Sequence, residues 1–258
     1  VRPPAPLMLN ELRPSATTID VWELDLAKPE SEADRALLTA AELTKGERII
    51  IPAKRTQSLR ARAELRRVLG RYLGLAPEQV RFIYGEHEKP DLDPAQQPGA
   101  RGPAPVLSFN LSHSEAVGLV AVVLSEAPRQ LGVDVEHARE NRDLDGIARS
   151  FFAADEVAYF LRLPERERPA AFYRAWTRKE AYLKALGTGL SFPSNKFSIS
   201  FGRDETPRVL RTEREGDDPR RWQLLDLRCE APGYAAAACW DGAPLSLRRF
   251  WGPTSAPG

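Results

Sequence analysis

Apolar and polar residues alternate along "TIDVWELDL" (18–26), the period-two signature of a strand with one face turned to a core. The period lengthens in "TAAELTKGERII", which predicts a helix with Thr39 as N-cap and Glu42 at the capping-box spacing. It stays helical through "AKRTQSLRARAELRRVLGRYLGL", where Leu59, Leu65, Val68, Leu69 and Tyr72 form the apolar stripe and Gly74 is the stop. "QVRFIYGEHEKPDL" reads as a strand and turn, and 91–105, rich in Pro, Gly, Ala and Gln, as a surface loop. "VLSFNLSHS" and "AVGLVAVVLS" are predicted strands, as is "LGVDVEHA". Helical patterning then covers "DGIARSFFAADEVAYFLRL" and "FYRAWTRKEAYLKALGTGL" (172–190). A meander of "FSISF", "RWQLLDLRCE" and "YAAAACW" follows.

Helices and groups of strands segregate, which is an α+β order. The order also suggests a structural duplication without sequence repeat, with a boundary near 125–130. The expected division is 1–128 for an N-terminal half and 129–258 for a C-terminal half. The chain has 258 residues, 37 basic against 36 acidic, and 42% hydrophobic residues, the make-up of a globular protein and not of a general nucleic-acid binder. The two cysteines, Cys229 and Cys239, cannot build a disulfide framework and are expected to be buried. With no long apolar run and no signal-like N-terminus, no membrane contact is expected and cytoplasmic residence is the default.

Three places carry candidate chemistry. In "GVDVE", Asp134 and Glu136 project from one face of a strand while Val133 and Val135 face the other way. Two such carboxylates are either a solvated strand end or the oxygen ligands of a hard cation. Helical spacing puts Trp176, Glu180 and Lys184 on one stripe, so Glu180 is a candidate third carboxylate; the competing reading is a surface pair worth about 0.2–0.5 kcal/mol. Lys179 lies off that stripe. Ser112 and His113 end the "FNLSHS" strand, where hydroxyl and imidazole can donate to a phosphate. No G-x-S-x-G elbow, P-loop or dinucleotide fingerprint occurs. Basic residues are frequent across 45–71, most of them the solvated face of a helix.

Together "EKP" (88–90), "FNLSHS" (109–114), "GVDVE" (132–136) and "WTRKEAYLKALGTGL" (176–190) resemble the 4′-phosphopantetheinyl transferases of the large, single-chain Sfp type. The likeness is sharpest over 106–192, where "RSFFAADE" also matches. It implies two similar α+β halves in one chain, a pseudo-two-fold duplication with the metal site in the second half and coenzyme A and Mg²⁺ between the halves. It implies transfer of the phosphopantetheine arm of coenzyme A to a serine of an apo acyl or peptidyl carrier protein. A non-catalytic coenzyme A-binding module of the same fold is the alternative. Two fused halves imply a monomer.

By the same resemblance, Asp134, Glu136 and Glu180 fall on the metal-binding positions. Lys184 falls on a phosphate contact and leaving-group stabiliser, with either Glu180 or Lys184 taking the serine proton. Ser112, His113, Lys89, Pro90, Lys45 and Arg48 fall on or beside positions that contact the coenzyme. Glu156 matches a further acidic position, read either as catalytic or as a surface helix charge. Glu88 departs from the glycine usual before Lys-Pro. Phe151 and Phe152 are expected in the core, and Arg149 and Arg162 are candidates for steering an acidic carrier.

Overall fold

The computed structural model describes residues 15–85, 89–101, 105–139 and 143–252. Glu88 lies outside the described residues. In chain order the elements are β1 (Thr18–Asp25), α1 (Glu32–Ala36), α2 (Ala40–Glu47), α3 (Pro52–Leu73), β2 (Phe82–Tyr84), β3 (Pro90–Leu92), β4 (Val106–Ser114) and β5 (Val117–Ser125). Then come β6 (Leu131–His137), α4 (Leu144–Phe151), α5 (Ala154–Arg162), α6 (Arg168–Leu186), β7 (Phe197–Ile199), β8 (Val209–Thr212), β9 (Trp222–Leu227), β10 (Tyr234–Asp241) and β11 (Ser246–Trp251).

The chain forms two compact units, residues 1–128 with 245–258, and residues 129–244. In the first unit the strands run β11-β1-β5-β4, with β1 antiparallel to β5, β5 antiparallel to β4, and β11 parallel to β1. Every residue of β5 is buried, as expected of a central strand covered on both faces. The capping box at α2 forms as its sequence predicts: Thr39 N–H donates to Glu42 Oε2 at 2.9 Å and Glu42 N–H to Thr39 Oγ1 at 3.3 Å. Gly74 ends α3 in the left-handed region at φ 64°, which a residue with a Cβ adopts only at a cost.

The last strand corrects the expected division. β11 belongs to the first unit because its side chains match β1. Phe250 stacks on Trp22 with ring centroids 4.7 Å apart, and Arg248 grips Asp20 through two bonds of 2.7 Å. Tyr72 of α3 donates to the same carboxylate at 2.6 Å while accepting from the Trp22 indole at 2.8 Å. Asp20 thereby ties two strands and a helix. The segment expected as a loop from residue 91 begins inside a strand, since β3 pairs with β2 through Asp91 and Leu92.

In the second unit the strands run β6-β10-β9, all antiparallel. α6 lies against them over a core of Phe152, Phe160, Phe172, Tyr182, Phe197 and Trp222. α6 begins at Arg168, earlier than its pattern suggested, and ends where Gly187 turns left-handed at φ 70°. The helical run before it is two helices, because Phe152 is extended with ψ 154°. That break sends Phe152 into the core and leaves Phe151 48% exposed, so only one of the two phenylalanines is a core residue. Of the cysteines, Cys239 is buried and Cys229 only half-buried. Each unit runs strand, three helices, a short two-stranded ladder and then a hairpin whose second strand pairs with the first strand of the unit.

Candidate functional site

Gly132 opens the site in the second unit. A Cβ built there would lie 2.0 Å from Ala181 O and 2.4 Å from Ala185 N, so the α6 backbone approaches β6 closely because this residue has no side chain. Pairing sets Gly132 opposite Cys239, Asp134 opposite Ala237 and Glu136 opposite Ala235 of β10. Small neighbours leave the two carboxylates uncrowded on their face. Val133 and Val135 fill the other face, at most 1% exposed.

Asp134 is 3% exposed, and Lys184 donates to its Oδ1 at 2.6 Å. The lysine stem comes from α6, one turn beyond Glu180. Burial pushes the Glu180 carboxyl up to about 7, with the Asp134 charge the next cause and Glu136 adding to it; Lys184 pulls the other way. Three acids thus share one field, and the helix supplies the cation that offsets it. Among the described residues no three His, Cys, Asp or Glu side chains stand close enough to enclose a metal ion. Asp134, Glu136 and Glu180 therefore share a field without forming a closed ligand cage, and Lys184 holds the Asp134 oxygen.

Glu156 is neither a surface charge nor open to a substrate. It and Lys179 are each 2% exposed and meet at 2.6 Å. Lys179 also donates to Phe197 O at 2.9 Å, and Glu156 accepts from the Ala153 and Ile199 amides at 2.8 Å each. Burial pushes Glu156 up and Lys179 down, each opposed by the partner's charge. Their neighbour Arg178, also buried, binds Asp226 of β9 through bonds of 2.7 and 2.6 Å. Three successive charged residues of α6, 178–180, are thus sent to three different surroundings.

The first unit has its own concave site, a pocket of about 180 Å³ lined by Ser58, Arg62, Pro90, Phe109, Asn110, Leu111 and His113. Pro90 and His113, both singled out from the sequence, are among its lining residues. Ser112, Lys89, Lys45 and Arg48 do not line this pocket: Ser112 is buried, and Lys45 stands 5.9 Å above the Tyr84 ring. Ser58, Arg62 and Asn110 were missed. The signal for the first two is their spacing of four on the polar side of α3, one turn apart. Among the described residues Arg62 Nη1 is buried without a hydrogen-bond partner, while its Nε lies 3.7 Å from Glu42 Oε1 and its guanidinium 5.3 Å from the Phe82 ring centre. An unbonded guanidinium N–H at a pocket suits an anionic ligand.

The chain is similar to known proteins. The 4′-phosphopantetheinyl transferase superfamily profile matches residues 130–239. The 4′-phosphopantetheinyl transferase HetI of Nostoc sp. is 36% identical over 239 residues, covering 90% of this chain and 91% of its own. Sfp of Bacillus subtilis is 27% identical over 175 residues, 68% of this chain and 69% of its own. A solved holo-[acyl-carrier-protein] synthase of Thermotoga maritima overlaps 43% of this chain and 62% of its own, with 19% identity and a TM-score of 0.35. Among the described residues no helix is long and apolar enough to cross a membrane. Near-complete coverage at that identity to HetI places the chain in the 4′-phosphopantetheinyl transferase family.

Proposed function

We propose that this chain transfers the phosphopantetheine arm of coenzyme A to a serine of an apo acyl or peptidyl carrier protein, with Asp134, Glu136 and Glu180 holding Mg²⁺. The observation that carries the reading is geometric: Asp134 and Glu136 share one face of β6, and Lys184 of α6, one turn beyond Glu180, reaches Asp134 at 2.6 Å. The donor set fits the ion: it is all-oxygen and anionic, and burial first, then the Asp134 and Glu136 charges, hold the Glu180 carboxyl up in a way that a bound cation would relieve. Held by these carboxylates, the ion would supply positive charge to offset that on the pyrophosphate as the phosphoanhydride bond breaks. Lys184 contacts a phosphate oxygen and stabilises the departing 3′,5′-ADP. Glu180 accepts the proton of the carrier serine as its Oγ bonds to the phosphorus.

In the first unit, Arg62 and His113 donate to the phosphates of the coenzyme, and Pro90 and Phe109 offer apolar surface. Lys45, Arg48 and Lys89 contribute positive charge around it. Exposed Phe151, with Arg149 and Arg162 exposed near it in sequence, offers an apolar and basic surface to an acidic carrier. The matching strand orders β1-β5-β4 and β6-β10-β9, each with three helices after its first strand, support descent of the two units from one duplicated ancestor. The non-catalytic alternative is disfavoured because Asp134, Glu136, Glu180 and Lys184 are all retained.

The test is incubation with coenzyme A, Mg²⁺ and a panel of apo-carrier domains, with intact masses measured afterwards. A phosphopantetheine-sized gain that a chelator abolishes is expected. No gain on any carrier refutes the activity.

A further inference from the structure

The Lys179–Glu156 pair has no part in the chemistry above, yet its charges are buried, an arrangement that costs several kcal/mol per ion before pairing. We infer that Glu156 and Lys179 are positioning residues, a buried clamp that fixes the rotation of α6 and thereby aims Glu180 and Lys184 at β6. The inference rests on the function proposed above, though part of its test does not.

The clamp has three fixed ends. Lys179 Nζ is held by Glu156 of α5, by Phe197 O at the start of β7, and by the Phe197 ring, 4.1 Å beneath it. Glu156 is held in turn by the amide of Ala153 and, through its other oxygen, by that of Ile199. Both carboxylate oxygens are engaged inside the core, so neither can take a proton from an incoming serine. Successive helical residues are turned by roughly 100°, which sets Glu180 about 100° and Lys184 about 140° from Lys179. The face about 200° away carries Ala181, whose carbonyl faces Gly132. The helix is therefore gripped by the ion pair on one side and seated on a glycine on another, and the reacting side chains lie between. A rotation of roughly 20° would carry a carboxylate some 6 Å from the axis through about 2 Å, and a shift of about 1 Å can cost about 10²-fold in rate.

Three variants decide it: Glu156→Gln, Lys179→Met and the two together. Each single change strands one buried ion. Each is expected to lower kcat by about 10–100-fold with KM for coenzyme A within about twofold, the size typical of residues that orient metal ligands. Each should also weaken Mn²⁺ binding, read by calorimetry without any carrier. The double variant leaves no charge, and the amide at position 156 can still accept from one of the two backbone N–H groups that Glu156 engages. With no buried ion left and one backbone amide short of its acceptor, it is expected to recover most of the loss in kcat and Mn²⁺ affinity, to within about tenfold of the parent protein. If the singles do not fold, the double against the parent protein is sufficient. A folded double variant that binds Mn²⁺ normally but stays as slow as Glu156→Gln makes Glu156 a chemical participant and overturns the clamp. So do singles whose kcat and Mn²⁺ affinity match the parent. A parent protein that modifies no carrier refutes the proposed function instead, and the Mn²⁺ titrations still judge the clamp.

Discussion

Two lysine–carboxylate contacts leave α6 in different directions, both 2.6 Å long, and their surroundings give them different work. Around Lys179 and Glu156 everything is satisfied: a carbonyl, two amides and an aromatic ring complete the pair, and water is shut out. Around Lys184 and Asp134 the charges do not balance, because Glu180 and Glu136 bring further negative charge and the Lys184 side chain keeps 30% exposure. A closed, neutral pair specifies structure. An open cluster with surplus charge of one sign is a site that gains by taking up a cation and a ligand. Distance alone would not have told them apart.

The largest expected effect comes from removing surplus charge on the open side. Glu180→Gln should lower kcat by on the order of 10³. Burial and like charges both disfavour its ionised form, so thermal unfolding at pH 8 should shift upward or stay the same. The clamp variants should do the reverse and lose stability as single changes. If Glu180→Gln unfolds the protein instead, the contrast between the two sides of α6 collapses.

Next is Gly132→Ala. Its new Cβ meets backbone, not a flexible side-chain end, so α6 must shift away from β6. Loss of about 10²-fold in kcat is expected from the displaced stripe, with about 1–3 kcal/mol of destabilisation by chemical denaturation. Unaltered kinetics would show that the helix tolerates translation, and would shift the weight of positioning onto the clamp.

A third prediction uses proton competition. Glu180 is raised from 4.5 to about 7, so below that pH the carboxyl holds a proton that a metal must displace. Mn²⁺ affinity should therefore rise with pH, approaching about tenfold per unit between roughly 5 and 7 and levelling above. Calorimetry in two buffers of different ionisation enthalpy should show close to one proton released at pH 6. A flat profile would move the metal away from Glu180.

Much of this contrast was legible before any coordinates. β6 and α6 are strongly patterned, and Asp134, Glu136, Glu180 and Lys184 follow from strand and helix periods once the two are set side by side. The closed side was not legible. A glutamate three residues into an amphipathic helix reads as a surface charge because isolated buried ions are rare, and nothing local marks Ile199 N or Phe197 O as its partners. β11 was missed for a related reason. Its short alternation in "SLRRFW" is weak alone, and the Arg248–Asp20 bond that secures it spans 228 positions of sequence. Phe151 and Phe152 misled because the pattern runs through them, whereas the backbone turns extended between the two helices. Long-range pairing and a single residue's change of backbone region lie outside what periodicity records.

The smallest expected effect belongs to the first unit, and it asks whether the division between holding and reacting extends beyond α6. Arg62 and His113 line a pocket with Pro90 and Phe109 but take no part in the proposed proton transfer. Arg62→Ala and His113→Ala should each raise KM for coenzyme A by about 5–10-fold, roughly the loss of one charge-assisted hydrogen bond, with kcat nearly unchanged. Arg62 should cost the more of the two, since it brings a permanent charge as well as several donors to the phosphates. A fall in kcat at constant KM for either variant would mean that the pocket's contacts strengthen only in the transition state, and binding would then no longer be separable from chemistry in this chain.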